Sequence, residues 1–343
     1  MWEYMRYYGC KTKLLDYIEE VATKLPVKEG AIFFDIFSGT TAVGKHFKRL
    51  GFTVYSNDFL EFAYSLAVTN IQTNTIPKFE KLGIKDDVID FLNNLPTKSG
   101  FFTKTYSPYR NSKRQYLSIE NAKKVDTIRE KIHEWKSNKK ITDTEYYYLI
   151  SSLINAVSLV ANVTGTYAAF LKTWDKRAFK TLKLEHGDIF DNKKKNKAFH
   201  SDANLLVGKY DVDILYLDPP YNARQFASNY FLLELIADGW FDRVPEIYGN
   251  AGMRPYEHQK SDYSISRKAE EALSDLISKA KAKYIMLSYN DEGIIPLPNI
   301  MKILKSRGDV VEYKKDHKRY RAINQDGSKI ITKEHLFLLT VKK

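Results

Sequence analysis

The stretch GAIFFDIFSGTTAVGKHFKRLGFTVYSNDF, residues 30–59, reads as strand, turn, helix and strand. AIFFDIF is a continuous apolar run, the pattern of a parallel strand buried on both faces. FSGTT supplies the small residues of a tight turn. AVGKHFKRLG is a short helix stopped by Gly51. FTVYSND is the second strand, and it ends on an acid. Together they form a βαβ unit.

The same alternation returns late in the chain. DVDILYLDPPY is a strand and turn, FASNYFLLELIADGW and RKAEEALSDLISKAK are helices, and YIMLSYN is a strand. DVVEYKKDHKRYR and HLFLLTV then form a strand pair around the turn signal NQDGS. Strands alternating with helices predict an α/β sheet. From about Thr75 to Asp175 the character changes to a basic, Tyr-rich loop and two helices near Glu120–Lys136 and Asp143–Val163. The expected organisation is one α/β domain over 1–74 and 176–343, with a mostly helical subdomain inserted over 75–175.

The chain has 343 residues, 43% of them hydrophobic and 28% charged, which fits a globular protein of this size. Lys and Arg total 54 against 42 Asp and Glu, a net charge of +12. Such an excess fits a polyanion such as nucleic acid, and it equally fits a chain with surplus surface lysine. A single cysteine, Cys10, excludes an internal disulfide and suits a reducing cytoplasm. The seven histidines lack the spacing of a metal site, so no metal is expected. The charged, aromatic N-terminus does not read as a signal peptide. YYYLISSLINAVSLVANV, Tyr146 to Val163, carries no formal charge, but Ser151, Asn155, Ser158 and Asn162 fall on one helix face. It therefore reads as a helix of a soluble domain and not a membrane span; the polar stripe faces either a cleft or water.

Two turns carry chemistry. In the first, Phe37-Ser38-Gly39 lets the backbone approach a ligand at a strand's carboxyl end. The glycines match neither GxGxxG nor a phosphate loop. Asp58, at the end of the next strand, suits the two hydroxyls of a ribose. A nucleoside without phosphates fits this pair, and S-adenosylmethionine is the candidate. In the second turn, Asp218 follows the core strand Ile214-Leu215-Tyr216-Leu217. Pro219 and Pro220 stiffen the backbone and remove two N–H donors. The Asp218 carboxylate and the Pro219 carbonyl then offer two acceptors to one amino group, and Tyr221 offers a face to a planar ring. The exocyclic amine of a nucleobase is such a guest. Held through both hydrogens, its nitrogen can attack a sulfonium methyl in line, by positioning and electrostatics.

Asp218-Pro219-Pro220-Tyr221 resembles the DPPY motif of DNA amino-methyltransferases, and Phe37-Ser38-Gly39 resembles their cofactor loop. RYYGCKTKLLDYI, near the N-terminus, looks like their additional cofactor motif. The motif order resembles the Dam-like adenine-N6 group, and DPPYNARQFASNYFLLE and KEHLFLL look like adenine methylases of type II and IIS restriction–modification systems. The resemblance covers both ends of the chain. It implies a Rossmann-like S-adenosylmethionine-dependent sheet with an inserted target-recognition subdomain. It implies cofactor contacts by Tyr7, Lys11, Asp58, Asp188 and Asp218, and a catalytic turn of Asp218, Pro219, Pro220 and Tyr221. Thr40-Thr41 depart from the small or Ser pair that usually follows the loop.

A duplex base must leave its stack to reach such a turn. The insertion offers basic residues among tyrosines, and Arg110, Asn111, Lys113, Arg114 and Gln115 are the candidates for phosphate and base-edge contacts. Asn162-Val163-Thr164-Gly165-Thr166-Tyr167 resembles a stretch of the inserted subdomain in Dam-like enzymes, which implies DNA contact for Asn162 and Tyr167. The expected function is methyl transfer to adenine N6 at a specific double-stranded sequence. The expected partners are DNA and a cognate endonuclease or second methylase, and the expected location is the cytoplasm, at the nucleoid. Cytosine N4, an RNA amine, and an inactive DNA-binding subunit remain as alternatives.

Overall fold

The computed structural model describes residue 5, residues 7–323 and residues 329–342. The turn signal at 324–328 lies outside the described residues. The chain divides into two compact units, one of residues 11–59, 194–226 and 260–343, the other of residues 1–10, 60–193 and 227–259.

The first unit is a seven-stranded sheet of β1 (Ile32–Asp35), β2 (Thr53–Asp58), β3 (Lys197–His200), β4 (Val212–Leu217), β5 (Ala282–Asn290), β6 (Gly308–Ile323) and β7 (Lys329–Val341). The order is β3-β2-β1-β4-β5-β7-β6. The first five strands are parallel, and β7 runs antiparallel between β5 and β6. This is the α/β sheet expected from the βαβ reading, in the doubly wound, Rossmann-like form that the resemblance implies. Phe33 stacks on Phe47 of the helix Ala42–Arg49 at 3.7 Å. Phe34 and Ile36 point the other way, into a core with Leu206, Leu273, Leu276, Ile300 and Leu304. Apolar burial on both faces is why the β1 run shows no polar alternation. The strand order turns back between β1 and β4, so their carboxyl ends flank the switch point where such sheets take ligands.

Sequence patterning misses β3, an edge strand whose four residues are half-buried or exposed and form no apolar run. It also misses the helices Leu15–Ala22, Glu61–Ala67 and Leu297–Lys305.

The second unit is helical. Its two long helices, Ile119–Ser137 and Asp143–Val160, sit within two residues of the expected starts. Ser118 caps the first, and a Thr142–Glu145 capping box starts the second. Ser151 and Ser158 are buried and Asn155 is half-buried, so the polar stripe does not face water. Buried charges fix the short segments. Glu234, fully buried, accepts the N–H groups of Glu61 and Phe62 at 2.9 and 2.8 Å, which starts the helix Glu61–Ala67. Arg129, also buried, donates to the carbonyls of Ile236 and Ala237 at 2.8 and 3.2 Å and so caps the end of the helix Phe231–Asp238. Among the described residues, no helix is long and apolar enough to cross a membrane.

Candidate active site

The carboxyl ends of β1, β2 and β4 bring acids together. Asp35 pairs in register with Ser56 of β2 and Tyr216 of β4, and Asp218 follows β4 directly. Asp35 is fully buried, and its carboxyl is pushed well above the usual range, first by burial and then by the charges of Asp218 and Asp58. Asp58 accepts the Gly39 N–H through Oδ2 at 2.8 Å. This bond ties the end of β2 to the turn after β1, where Gly39 takes a φ of +48°. Thr41, in the Thr40-Thr41 departure, also takes a positive φ, +64°. Ser38 is buried, Phe37 is half-buried, and the Phe37 ring meets Tyr263 edge-on at 5.1 Å.

Buried polar atoms without a protein partner gather here. Asp35 Oδ1, Ser38 Oγ, Asn57 Oδ1 and Asp218 Oδ1 have no hydrogen bond among the described residues. Most such atoms in folded proteins are satisfied, and a cluster that is not calls for a donor from outside the chain. A ligand bearing an ammonium and ribose hydroxyls supplies such donors to Asp35, Ser38 and Asn57, so these three residues fit S-adenosylmethionine.

Asp218 is largely buried, its side chain 16% exposed. Burial pushes its carboxyl up to about 6, opposed by the Lys11 ammonium and reinforced by Glu334. Lys11 Nζ lies 3.3 Å from Asp218 Oδ1 and forms a closer ion pair with Glu334 of β7. Burial alone would depress Lys11, but the two carboxylates outweigh it and hold the amine well above its usual value. Lys11, expected to contact the cofactor, contacts the carboxylate that follows β4. Pro219 is buried and Pro220 half-buried. The Tyr221 ring lies 6.1 Å from Tyr289, near perpendicular, with Lys11 Nζ 5.8 Å from its centre. The Tyr221 carbonyl accepts the Ile294 N–H at 2.9 Å, which fixes the turn. Asp35 and Glu334 are missed by sequence reading. The acid inside FFDIF was the available signal for Asp35; Glu334 lies inside the KEHLFLL segment, but nothing local marks its contact with Lys11.

The remaining candidates lie in the helical unit. The half-buried Tyr7 stacks on Tyr230 at 4.5 Å. Asp188 is half-buried in a segment pinned by Tyr148, whose hydroxyl meets His186 Nδ1 at 2.7 Å and accepts the Gly187 N–H at 3.2 Å. His186 Nε2 meets Asp87 at 2.8 Å, a structural arrangement. Arg110 and Lys113 are exposed, as is Asn111, and the Arg110 guanidinium lies over the Tyr109 ring at 5.3 Å. With Lys104, Ser112, Gly249 and Asn250, residues 111, 113 and 114 line a polar depression of about 370 Å³. Arg114, expected to read base edges, instead donates to the carbonyls of Gly249, Asn250 and Thr105 at 3.0, 3.1 and 3.3 Å. Gly252 (φ +75°) makes room for it, since a Cβ there would lie 2.6 Å from Arg114 Nε. Gln115 is half-buried, with its Oε1 unpartnered among the described residues.

Two expected DNA contacts are corrected. Asn162 is fully buried, with its side chain bonded to the Leu171 carbonyl and the Asp175 N–H, both at 2.9 Å. Tyr167 is buried too, and its carbonyl accepts the Tyr116 hydroxyl at 2.9 Å. Both hold the 162–175 loop together and present no surface to a duplex.

Residues 7–303 match the model of the D12 class N6 adenine-specific DNA methyltransferase family. The chain belongs to this family. This D12-class chain is 41% identical to the type II methyltransferase M.FokI of Planomicrobium okeanokoites, across 99% of its own length and 53% of that protein. It is 43% identical to the modification methylase StsI of Streptococcus sanguinis, across 95% of its length and 50% of that protein. It is 34% identical to the type II methyltransferase M.NlaIII of Neisseria lactamica, across 93% of both. The D12-class chain thus spans about half the length of the first two relatives and nearly all of the third.

Proposed function

We propose that this chain transfers a methyl group from S-adenosylmethionine to the N6 amine of adenine in a specific double-stranded DNA sequence, as the protective methylase of a restriction–modification system. The observation that carries this reading is Asp218, a largely buried carboxylate at the switch-point end of β4 whose Oδ1 lacks a hydrogen bond among the described residues. An acceptor left open there needs a donor, and family membership names an adenine amine. When bound, S-adenosylmethionine supplies the electrophilic methyl group. Asp218 and the Pro219 carbonyl accept the two amine hydrogens and orient the nitrogen lone pair, and the Tyr221 ring supports the base. Asp58 and the Phe37-Ser38-Gly39 turn take the nucleoside end, and Asp35 is added to this group for its buried, open acceptor. Lys11 is reassigned as the cation that keeps Asp218 ionised. No metal is needed for this chemistry.

Nucleoside analysis of duplex DNA labelled from methyl-tritiated S-adenosylmethionine tests the reading. N6-methyladenine is the expected product; label in N4-methylcytosine, or label reaching RNA alone, would overturn it. Residues 110–115 are the proposed phosphate-contacting segment, with Arg110 and Lys113 free to meet the backbone. Replacing both by alanine is expected to weaken DNA binding at least about tenfold near 0.1 M salt and to reduce the salt slope by about two. A slope equal to that of the parent would remove both residues from the interface. A cognate endonuclease or second methylase acting on the same site is the proposed functional partner.

A further inference from the structure

Glu334 stands on β7, opposite Asn290 of β5, and its side chain is only 7% exposed. Its Oε1 accepts the Ser288 hydroxyl at 2.7 Å and also takes the close ion pair from Lys11. One ammonium thus serves two buried carboxylates, and it sits nearer Glu334 than Asp218. The asymmetry has a chemical consequence. A carboxylate buried with no cation near it takes up a proton, which turns one of its oxygens into a donor and weakens the other as an acceptor. A carboxylate oxygen closely engaged by a lysine has a lone pair taken and is a weaker acceptor for a substrate amine. At 3.3 Å, Lys11 supplies charge to Asp218 and at most a weak hydrogen bond, so Oδ1 keeps room for a stronger donor.

We propose that Glu334 is a positioning residue of the amine-holding site: by drawing Lys11 to itself, it leaves Asp218 free to accept the amine, while Lys11 keeps that carboxylate ionised. This rests on the methyl-transfer reading above. Lys11 is faced by Asp218, Glu334, Tyr216 and Tyr221, and Asp218 by Lys11 and Glu334, with Asp35 and Tyr216 feeling its charge. Glu334 also acts on Tyr17. The neighbouring His335 is occupied by Glu312 of β6 at 2.7 Å.

The sign of the pH effect follows from these partners. Lys11 lowers the Asp218 carboxyl from the value burial would give it, and Glu334 raises it. Neutralising Glu334 frees Lys11 to settle on Asp218, so the carboxyl falls and the oxygen that would hold the amine is taken by the lysine. Neutralising Lys11 does the reverse.

The experiment measures kcat between pH 5 and 8 for the full chain with saturating S-adenosylmethionine and long unmethylated duplex DNA. Glu334→Gln is expected to lower kcat about tenfold at neutral pH and to move the acid limb of the profile down by about one unit. Lys11→Gln is expected to move that limb upward. A Glu334→Gln profile with its limb unmoved, or moved upward, would overturn the proposal; a merely structural glutamate would lower activity without this shift. Should Glu334→Gln not fold, Ser288→Ala loosens the same carboxylate, and a limb identical to the parent in that variant also overturns the proposal. A parent chain that methylates no DNA would instead overturn the methyl-transfer reading.

Discussion

Asp218→Asn lowers single-turnover methyl transfer by about 10²–10³-fold or more, the loss seen when one preorganised polar contact to a reacting group is removed. The substitution keeps the shape of the side chain but replaces one acceptor oxygen with an NH₂ donor and removes the charge. Where two acceptors converge on one amine, a donor repels. Binding of S-adenosylmethionine stays within a few-fold of the parent, because the Gly39–Asp58 bond that shapes the nucleoside turn is untouched. The fold also survives, since the change removes a buried charge whose carboxyl burial already pushes up to about 6. Rapid-quench transfer paired with calorimetric cofactor titration reads both quantities. Transfer within tenfold of the parent would mean that Asp218 does not hold the amine.

The largest expected loss of stability comes from Asp126→Ala. Asp126, on the helix Ile119–Ser137, accepts the N–H groups of Gly100, Phe102 and Thr103 at 2.9, 2.8 and 2.8 Å and the Thr103 hydroxyl at 2.6 Å. It is the cap of the helix Phe101–Tyr106, supplied from a distant segment. The backbone has closed tightly around it, because a Cβ on Gly100 would lie 2.6 Å from Asp126 Oδ1. Alanine leaves these donors unsatisfied in an interior where each costs about 1–3 kcal/mol, so a loss of about 3–4 kcal/mol is expected after relaxation. Because residues 110–115 follow that helix directly, DNA affinity is expected to fall with it. Urea unfolding, followed by a binding titration in the folded range, checks both. A loss below about 1 kcal/mol would show that the helix start is held by something else.

What could be read from the sequence follows the range of the interactions. The 30–59 unit was legible because its signals are local: an apolar run, small turn residues, an amphipathic helix and a glycine stop. The turn at 218–221 was legible because little besides a ligand-holding turn requires a carboxylate and two prolines directly after a core strand. By contrast, β3 escaped because an edge strand of four half-exposed residues carries no period. Asn162 and Tyr167 were placed at the DNA by resemblance, and nothing local reveals that Leu171, Asp175 and Tyr116 would enclose them. Arg114 looked like a free cation until the chain brought Gly249 and Asn250 to it from 135 and 136 residues away. The helical unit also recruits residues 1–10 and 227–259, which lie outside the expected insertion of 75–175. The role of Glu334, quoted within KEHLFLL, was hidden for the same reason: its meaning lies in Lys11, 323 positions earlier.

That last separation bears on how the protein is made. An emerging polypeptide can form β1, β2 and β4 and expose the acid after β4 long before the ribosome has released β7. Until the late strand slots between β5 and β6, the lysine near the start lacks one of its two counter-charges, and the pocket is not yet tuned. On the proposal above, a chain that has not yet placed β7 has its amine-holding site untuned and transfers methyl more slowly.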